Sequence, residues 1–306
     1  MTEISKKPVD ERSKLVKKAA VASVATAVTL IIAKVVAFVL TGSMAILATM
    51  MDSFLDFLAS LVNMVAVKKA AVPADKEHRF GHGKFEALSG LAQSAFVFGS
   101  GIMLLITAFD NYGRGYKPIN VTSGVAVMVF SVIVTAVLLA FQTYVVRKTS
   151  SVAIEGDKAH YTGDLAINGS VIVSLLAEHF FELGFLDALF AALIALYLMF
   201  AAFLVFKKSF AMLTDMEISD DERKKILDIL LSNKSVTGVY DLRTRSSGTK
   251  LFVQCILEMD GRLTLNESHL ICDLVERDIN MVFPNAEVFI HQCPADVEFI
   301  NNRKIK

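Results

Sequence analysis

The sequence predicts a membrane α-helical bundle of six transmembrane helices followed by a small α+β domain. Its 306 residues are 54% hydrophobic and have a mean hydropathy of +0.53, above the range usual for a soluble globular protein. The apolar residues fall into runs close to the ~20 residues that a helix needs to cross a bilayer. We predict six spans, at residues 19–41, 44–67, 86–110, 119–146, 152–181 and 186–206. From about residue 208 shorter amphipathic segments replace them.

The segment 208–306 has the pattern of a separate cytoplasmic domain. SDDERKKILDILLSN has helical periodicity with an acidic start, and LNESHLICDLVERDINMVF is a second amphipathic helix. Strands are favoured for VTGVYDLRTRSSG, KLFVQCILEMDG and AEVFIHQCP. The order α-β-β-α-β predicts a small α+β domain with both helices on one face of the sheet. The expected domains are thus an N-terminal tail (1–18), a transmembrane transport domain (19–207) and this regulatory or dimerisation domain (208–306).

Basic residues in the short loops indicate how the helices cross the membrane. Lys and Arg are abundant in the N-terminal tail and in the loops after the second and fourth spans, whereas the opposite loops contain only Arg114 and Lys117. Because such residues concentrate on the cytoplasmic side, both termini are expected in the cytoplasm. The membrane expected for the protein is the inner (plasma) membrane. Three cysteines, an odd number, all lie after residue 208 and imply no disulfide framework.

Charge and motifs also exclude two functional classes. Lys and Arg total 31 and Asp and Glu total 31, so the net charge of zero gives no electrostatic case for a nucleic-acid partner. The sequence has no evident nucleophile–base set and no phosphate-binding loop, so we do not expect an enzyme.

Two carboxylates, Asp52 and Asp56, lie within the second apolar run. They are four residues apart, so they share one face of a helix. A charge at the bilayer centre costs at least ~2.5–3.5 kcal/mol, and helix capping does not account for a residue in the middle of a span. The pair therefore indicates a functional site inside the membrane.

The fifth span contains a matching pair, His160 and Asp164, also at i and i+4. The two helices together could present three carboxylates and one imidazole around a single point. Four nitrogen and oxygen donors suit a tetrahedral zinc-type site, and imidazole also suits cadmium, iron or nickel. The two pairs predict a divalent-metal site between the helices.

A second cluster lies in the loop after the second span, in PADKEHRFGHGKFE. Asp75, His78 and His82 are spaced three and four residues apart, which suits a local metal site. The alternative is a polar cytoplasmic loop whose histidines are incidental.

These residues resemble the cation diffusion facilitator family. The resemblance rests on DxxxD in the second span, the loop PADKEHRFGHGKFE, HxxxD in the fifth span, and YDLRTRSSG and IHQCP, and it covers essentially the whole chain. It implies a homodimeric, proton-coupled efflux transporter for zinc and related divalent cations, with a cytoplasmic domain of ferredoxin-like fold. The transport ligands that it implies are Asp52, Asp56, His160 and Asp164, and the loop ligands are Asp75, His78 and His82.

The C-terminal domain departs from the family's pattern. The family has a two-zinc site there, and His269 and His291 match two of its histidines. Tyr240 and Ile256 stand where two more histidines are expected, and Cys293 stands in place of a bridging aspartate. One zinc position should therefore be lost. The other could persist on His269, His291 and Cys293, or be absent too.

Lys84 and Asp215 match a charge pair that links the two parts of the family's chains near the dimer interface. The sequence as a whole thus predicts a proton-coupled antiporter that exports zinc, with cadmium or ferrous iron as alternative substrates, by alternating access. A membrane-tethered metal sensor and a passive divalent-metal channel are the alternatives. Ligands inside the membrane argue against the sensor, since an anchor needs none, and proton-dependent flux against a gradient would exclude the channel.

Overall fold

The computed structural model describes residues 7–41, 44–114, 125–181, 186–248 and 250–295. Six long helices come first: α1 Lys7–Thr41, α2 Met44–Ala70, α3 Lys84–Arg114, α4 Val125–Thr149, α5 Val152–Phe181 and α6 Leu186–Leu213. Five shorter elements follow: α7 Asp220–Ser232, β1 Val236–Ser247, β2 Lys250–Met259, α8 Leu265–Val282 and β3 Ala286–Pro294. The predicted fold class, a helical membrane part and an α-β-β-α-β domain, is confirmed.

Four helices contain a stretch that is long and apolar enough to cross a membrane: Glu11–Leu40, Lys84–Asp110, Met128–Thr149 and Leu189–Leu213. The described parts of α2 and α5 contain no such stretch, because charged side chains interrupt their apolar residues. These are Asp52, Asp56, Lys68 and Lys69 in α2, and Glu155, Asp157, Lys158 and Asp164 in α5. Six spans remain a prediction, and the two helices in question are those with the candidate metal ligands.

The chain forms two compact units: the first comprises Lys14–Phe210, and the second contains the chain from Ala211 onward. In the first unit, α5 packs against α2, α3 and α4. Small and medium-sized apolar residues of α1, α2, α4 and α5 make a common buried cluster of Val16, Ala19, Ala20, Val67, Val145, Ala153 and Ile154. Because small side chains let helix backbones approach closely, the polar residues of neighbouring helices come within reach of each other.

The second unit contains a three-stranded sheet in the order β1-β2-β3. Strands β1 and β2 are antiparallel, whereas β2 and β3 are parallel because α8 crosses over between them. Side-chain caps at Ser219 and Thr264 fix the starts of α7 and α8. Both helices share one buried apolar cluster with the strands, which includes Ile226, Leu230, Val253, Leu257, Val275 and Ile279.

Close helix packing can be tested at two glycines of α3. A Cβ on Gly90 would lie 3.1 Å from the carbonyl oxygen of Val152 and would also contact Ser209 Oγ. A Cβ on Gly99 meets no heavy atom within 4 Å among the described residues. We expect Gly90→Ala to lower the thermal unfolding midpoint by several degrees. Gly99→Ala should leave it unchanged or raise it, since alanine favours a helix over glycine by ~1 kcal/mol. Scanning fluorimetry measures both, and equal midpoints would contradict this packing.

Candidate metal centre

Three of the four predicted transport ligands converge between α2 and α5. His160 Nε2 lies 3.0 Å from Asp56 Oδ1 and 3.8 Å from Asp164 Oδ2. One ligand atom from each of the three residues lies within 4.8 Å of the others. Because His160 and Asp164 are one helical turn apart, both project from α5 towards the same carboxylate on α2. Such a set of two oxygens and one nitrogen can bind a divalent transition metal.

The imidazole of this cluster is enclosed and its carboxylates are partly accessible. His160 is only 6% exposed. Phe96 meets its ring edge-on, with 5.2 Å between centroids, and Tyr161 lies at 5.5 Å. Asp56 and Asp164 are half-buried. A cation can therefore reach the carboxylate oxygens while packing restricts the orientation of the imidazole.

Asp52, the fourth predicted ligand, lies outside this cluster. It is on α2, one turn before Asp56, and its side chain is exposed. The group of neighbouring ligand atoms found among the described residues contains Asp56, His160 and Asp164 without it. Its role as a ligand stays a prediction that requires its side chain to turn towards the other three.

The loop residues Asp75, His78 and His82 form a second cluster. His82 Nε2 lies 3.3 Å from Asp75 Oδ2, and His78 Nδ1 lies 3.6 Å from Asp75 Oδ1. The backbone N–H groups of His78 and Glu77 donate to Asp75 at 2.7 and 3.0 Å. These hydrogen bonds, that of His78 first, hold the pKa of the Asp75 carboxyl below its usual value, so it stays an anion in mild acid.

His82 is oriented as a metal ligand in this cluster. Its Nδ1 donates to the carbonyl oxygen of Pro73 at 3.2 Å, which leaves the lone pair on Nε2. This side chain is 2% exposed, and Nε2 has no hydrogen-bond partner among the described residues. A buried ring nitrogen that faces a carboxylate without hydrogen-bond geometry favours metal binding over the incidental-histidine alternative.

The C-terminal candidates are not gathered in the same way. His269 lies on α8, where its Nε2 is 3.7 Å from Asp273 Oδ2, and both side chains are exposed. His291 and Cys293 lie on β3. Neither of the two metal-type clusters found among the described residues includes His269, His291 or Cys293. A zinc site on these three residues stays a prediction.

Two positions that depart from the family pattern, Tyr240 and Ile256, line up with the matching His291 across the sheet. Ile256 on β2 is the register partner of both Tyr240 on β1 and His291 on β3. Tyr240 donates its hydroxyl to Glu258 Oε2 at 2.5 Å. This hydrogen bond raises the pKa of Tyr240, so the phenol stays protonated and cannot replace a histidine as a ligand.

The expected charge pair of Lys84 and Asp215 involves one residue from each compact unit, and it stays a prediction. Lys84 begins α3. Asp215 makes an ion pair with Arg245 of β1 at 3.1 Å. Arg245 also stacks on Phe252, with its guanidinium carbon 4.6 Å from the ring centroid.

Sequence reasoning missed a buried polar network beside the cluster. Asp157 on α5 is fully buried, and its Oδ2 accepts from Ser23 of α1 at 2.5 Å and from Gln142 of α4 at 2.8 Å. Tyr161 donates to the carbonyl oxygen of Ser23 at 3.2 Å, and its hydroxyl lies 3.0 Å from Ser60 of α2. Asp157, a further acid on α5 three residues before His160, was the available signal. Its partners could not be found from spacing.

Each of the two compact units matches the profile of a known family domain. The profile of the cation efflux transmembrane domain matches residues 20–214, and that of the cation efflux protein cytoplasmic domain matches residues 218–295. The chain belongs to the cation efflux family. The resemblance of its motifs to the cation diffusion facilitators is thereby confirmed, and so is its function at the family level, the efflux of divalent cations across a membrane.

Relatives in this cation efflux family cover nearly the whole chain. The cation-efflux pump FieF of Serratia proteamaculans (strain 568) is 41% identical over 289 residues, 93% of this chain and 95% of the relative. The FieF pump of Shewanella oneidensis MR-1 is 42% identical over 283 residues, 92% and 95% of the two chains. Protein p34 of Rickettsia rickettsii (strain Sheila Smith) is 38% identical over 290 residues, 94% and 95%.

One solved structure concerns a candidate zinc transporter, CzrB, in its Zn form. It is 28% identical and covers 26% of this chain and 91% of its own, with a TM-score of 0.24. A superposition at that score supports no argument about the geometry of this protein.

The thiols of this cation efflux protein should differ sharply in reactivity. Burial raises the pKa of Cys255 to about 12 and also raises that of Cys272, whereas Cys293 on β3 is only half-buried. Because the thiolate is the reactive form, iodoacetamide at neutral pH should label Cys293 and spare the other two in the folded protein.

Labelling in the presence of zinc tests whether Cys293 is also a metal ligand. If the predicted site on His269, His291 and Cys293 exists, zinc should slow labelling of Cys293, and the protection should weaken as the pH falls, because a thiol must lose its proton to bind metal. Mass spectrometry with zinc or with chelator measures this, and His269→Ala is the matched control that should remove the protection. Equal labelling in zinc and in chelator would exclude the C-terminal ligand set.

Proposed function

We propose that this cation efflux protein exports zinc from the cytoplasm in exchange for protons, with cadmium and ferrous iron as possible further substrates. The convergence of Asp56, His160 and Asp164 between α2 and α5 is the observation that carries this proposal. Charged groups within apolar membrane helices carry an energetic cost, and they therefore mark sites for ions or polar substrates. Asp52 would turn inward to complete a tetrahedral set of three oxygens and one nitrogen.

The imidazole gives the site its preference among metals. Nitrogen donors suit zinc, cadmium and iron, whereas magnesium and calcium favour sites made of oxygen alone. Since affinity alone does not decide selectivity among the transition metals, the physiological ion must be found by transport measurements.

Proton exchange follows from the chemistry of the same ligands. Carboxylates and imidazole bind metal only when deprotonated, so protons and metal compete for one site. His160 is the natural coupling group, because imidazole changes charge near neutral pH more readily than the other side chains present. A proton gradient directed into the cell would then drive metal outward.

Alternating access requires the site to open to each side of the membrane in turn. The ligands lie on two different helices, so a shift of α2 against α5 would both dismantle the cluster and change its exposure. The two arrangements would be biased in opposite directions by metal and by protons, which is the condition for coupled exchange.

The remaining parts of the proposal concern placement and assembly. Six spans would cross the inner (plasma) membrane with both termini in the cytoplasm, and the transmembrane domain would comprise residues 19–207. The second family domain supports a homodimer formed through residues 208–306, where dimerisation or metal binding would regulate transport. The loop cluster of Asp75, His78 and His82 would tune transport from the cytoplasmic side.

Loss of a single transport ligand should be enough to prevent zinc transport. Asp56→Ala or Asp164→Ala should reduce zinc flux into proteoliposomes at least ~100-fold, because either change removes a direct ligand of a three- or four-donor site. Asp228→Ala, which removes an exposed carboxylate on α7, is the control that should retain flux. Wild-type flux in a folded Asp164→Ala protein would reject the assignment, and wild-type flux without dependence on a proton gradient would favour the passive channel.

The loop ligands should modulate transport without performing it. The triple variant Asp75→Ala, His78→Ala, His82→Ala should keep measurable flux with a shifted zinc dependence. In the wild type, acidification should release zinc from this cluster, since protons and metal compete for the same ligands. Flux and zinc binding, measured between pH 5 and 7.5, test both statements. Complete loss of flux in a folded triple variant would show that the loop belongs to the transport site.

A further inference from the structure

Lys34 carries an ammonium group inside an apolar helix, close to the metal ligands. It lies within the candidate span Glu11–Leu40 of α1. Its Nζ donates to the carbonyl oxygen of Thr49 at 2.8 Å and to Ser53 Oγ at 2.6 Å, both on α2. Ser53 is 1% exposed, so the ammonium is held against α2 by a buried partner.

The hydrogen-bond partners of this ammonium lie beside the acids of the transport site. Thr49 and Ser53 stand on either side of Asp52 in α2. Asp56 follows Ser53 by three residues and clusters with Asp164. Ser53, which accepts its hydrogen bond, directly follows Asp52 in the chain. The lysine thus places a fixed positive charge beside a site built for a mobile cation.

The charges of these groups match one divalent cation. Three carboxylates contribute −3 and the ammonium contributes +1, which leaves −2 when His160 is neutral. A single ion of charge +2 then makes the site electrically neutral. Because a net charge is strongly penalised in a medium of low dielectric constant, this balance favours the singly occupied site.

We propose that Lys34 is the charge-compensating residue of the transport site: its ammonium reduces the site's negative charge to that of one divalent cation and weakens metal binding enough for release. The inference rests on the proposed function, since it takes Asp52, Asp56 and Asp164 as the ligands. Without the lysine, the site would carry −3 and would hold zinc more tightly.

An ordinary anchoring role predicts something different. A lysine that only directs its ammonium towards the membrane surface should not influence metal affinity. Lys34→Gln separates the two interpretations, because the amide keeps a hydrogen-bond donor but carries no charge. Lys34→Arg keeps the charge, and Lys34→Met removes both the charge and the donor.

Zinc binding is best measured on the full-length protein in detergent, in a background in which Asp75, His78 and His82 are replaced by alanine. Asp164→Ala in the same background defines the zinc that binds elsewhere. Lys18→Met is the matched control, because it removes an exposed lysine from the same helix about 24 Å away along the axis.

We expect Lys34→Gln and Lys34→Met to lower the dissociation constant for zinc at least about tenfold, because each removes a repulsive unit charge near the ion. Flux at saturating zinc should fall in both, since tighter binding slows release. Lys34→Arg and Lys18→Met should stay within about twofold of the parent. If Lys34→Met does not fold, Lys34→Gln alone decides.

The possible failures are distinguishable. An unchanged dissociation constant in folded Lys34→Gln overturns the role of Lys34 while leaving the ligands intact. A decrease of the dissociation constant of the same size in Lys18→Met also overturns it, since the effect would then not depend on proximity. If Asp164→Ala removes no zinc binding at all, the ligand assignment of the proposed function fails instead.

Discussion

The contact between His160 and Asp56, at 3.0 Å, satisfies the constraint on which the membrane unit depends. A charged or polar side chain within an apolar helix must meet a polar partner or water, because hydrocarbon offers none. Asp56 of α2 and the imidazole of α5 meet this requirement by contacting each other. The need of these polar side chains for a polar partner thus both forms the candidate site and brings α2 and α5 together.

The same constraint extends beyond the metal ligands. Asp157 of α5 is fully buried and accepts hydrogen bonds from Ser23 of α1 and Gln142 of α4. Tyr161 of α5 connects Ser23 to Ser60 of α2, so one set of hydrogen bonds joins four helices. One oxygen, Asp157 Oδ1, has no hydrogen-bond partner among the described residues. Such a network specifies which helix faces meet, whereas apolar packing alone tolerates rotation. The small residues of the buried cluster allow the close approach that these hydrogen bonds require.

Local patterns explain what the sequence could predict. The pairs Asp52–Asp56 and His160–Asp164 were visible because both members lie one helical turn apart, and the order of helices and strands followed from hydrophobic periodicity. Ser23 and Asp157 are separated by 134 residues, and their contact depends on how helices pack. The row of Tyr240, Ile256 and His291 likewise requires the register of the sheet. For the same reason spacing did not indicate that Asp215 would pair with Arg245.

A transporter has to bind its ion and also let it go, and the electrostatics of this site can serve both needs. Carboxylates alone would hold a divalent cation strongly in a medium of low dielectric constant, which would favour binding at the expense of release. The Lys34 ammonium, hydrogen-bonded to Thr49 and Ser53 of α2, would in the proposed role oppose that attraction without occupying the ligand positions. Protons oppose it too, by converting ligands to forms that cannot bind metal. In the proposed exchanger, the fixed charge would set a moderate affinity at all times, whereas protons would lower it only when they bind, and that difference in timing would turn a binding site into an exchanger.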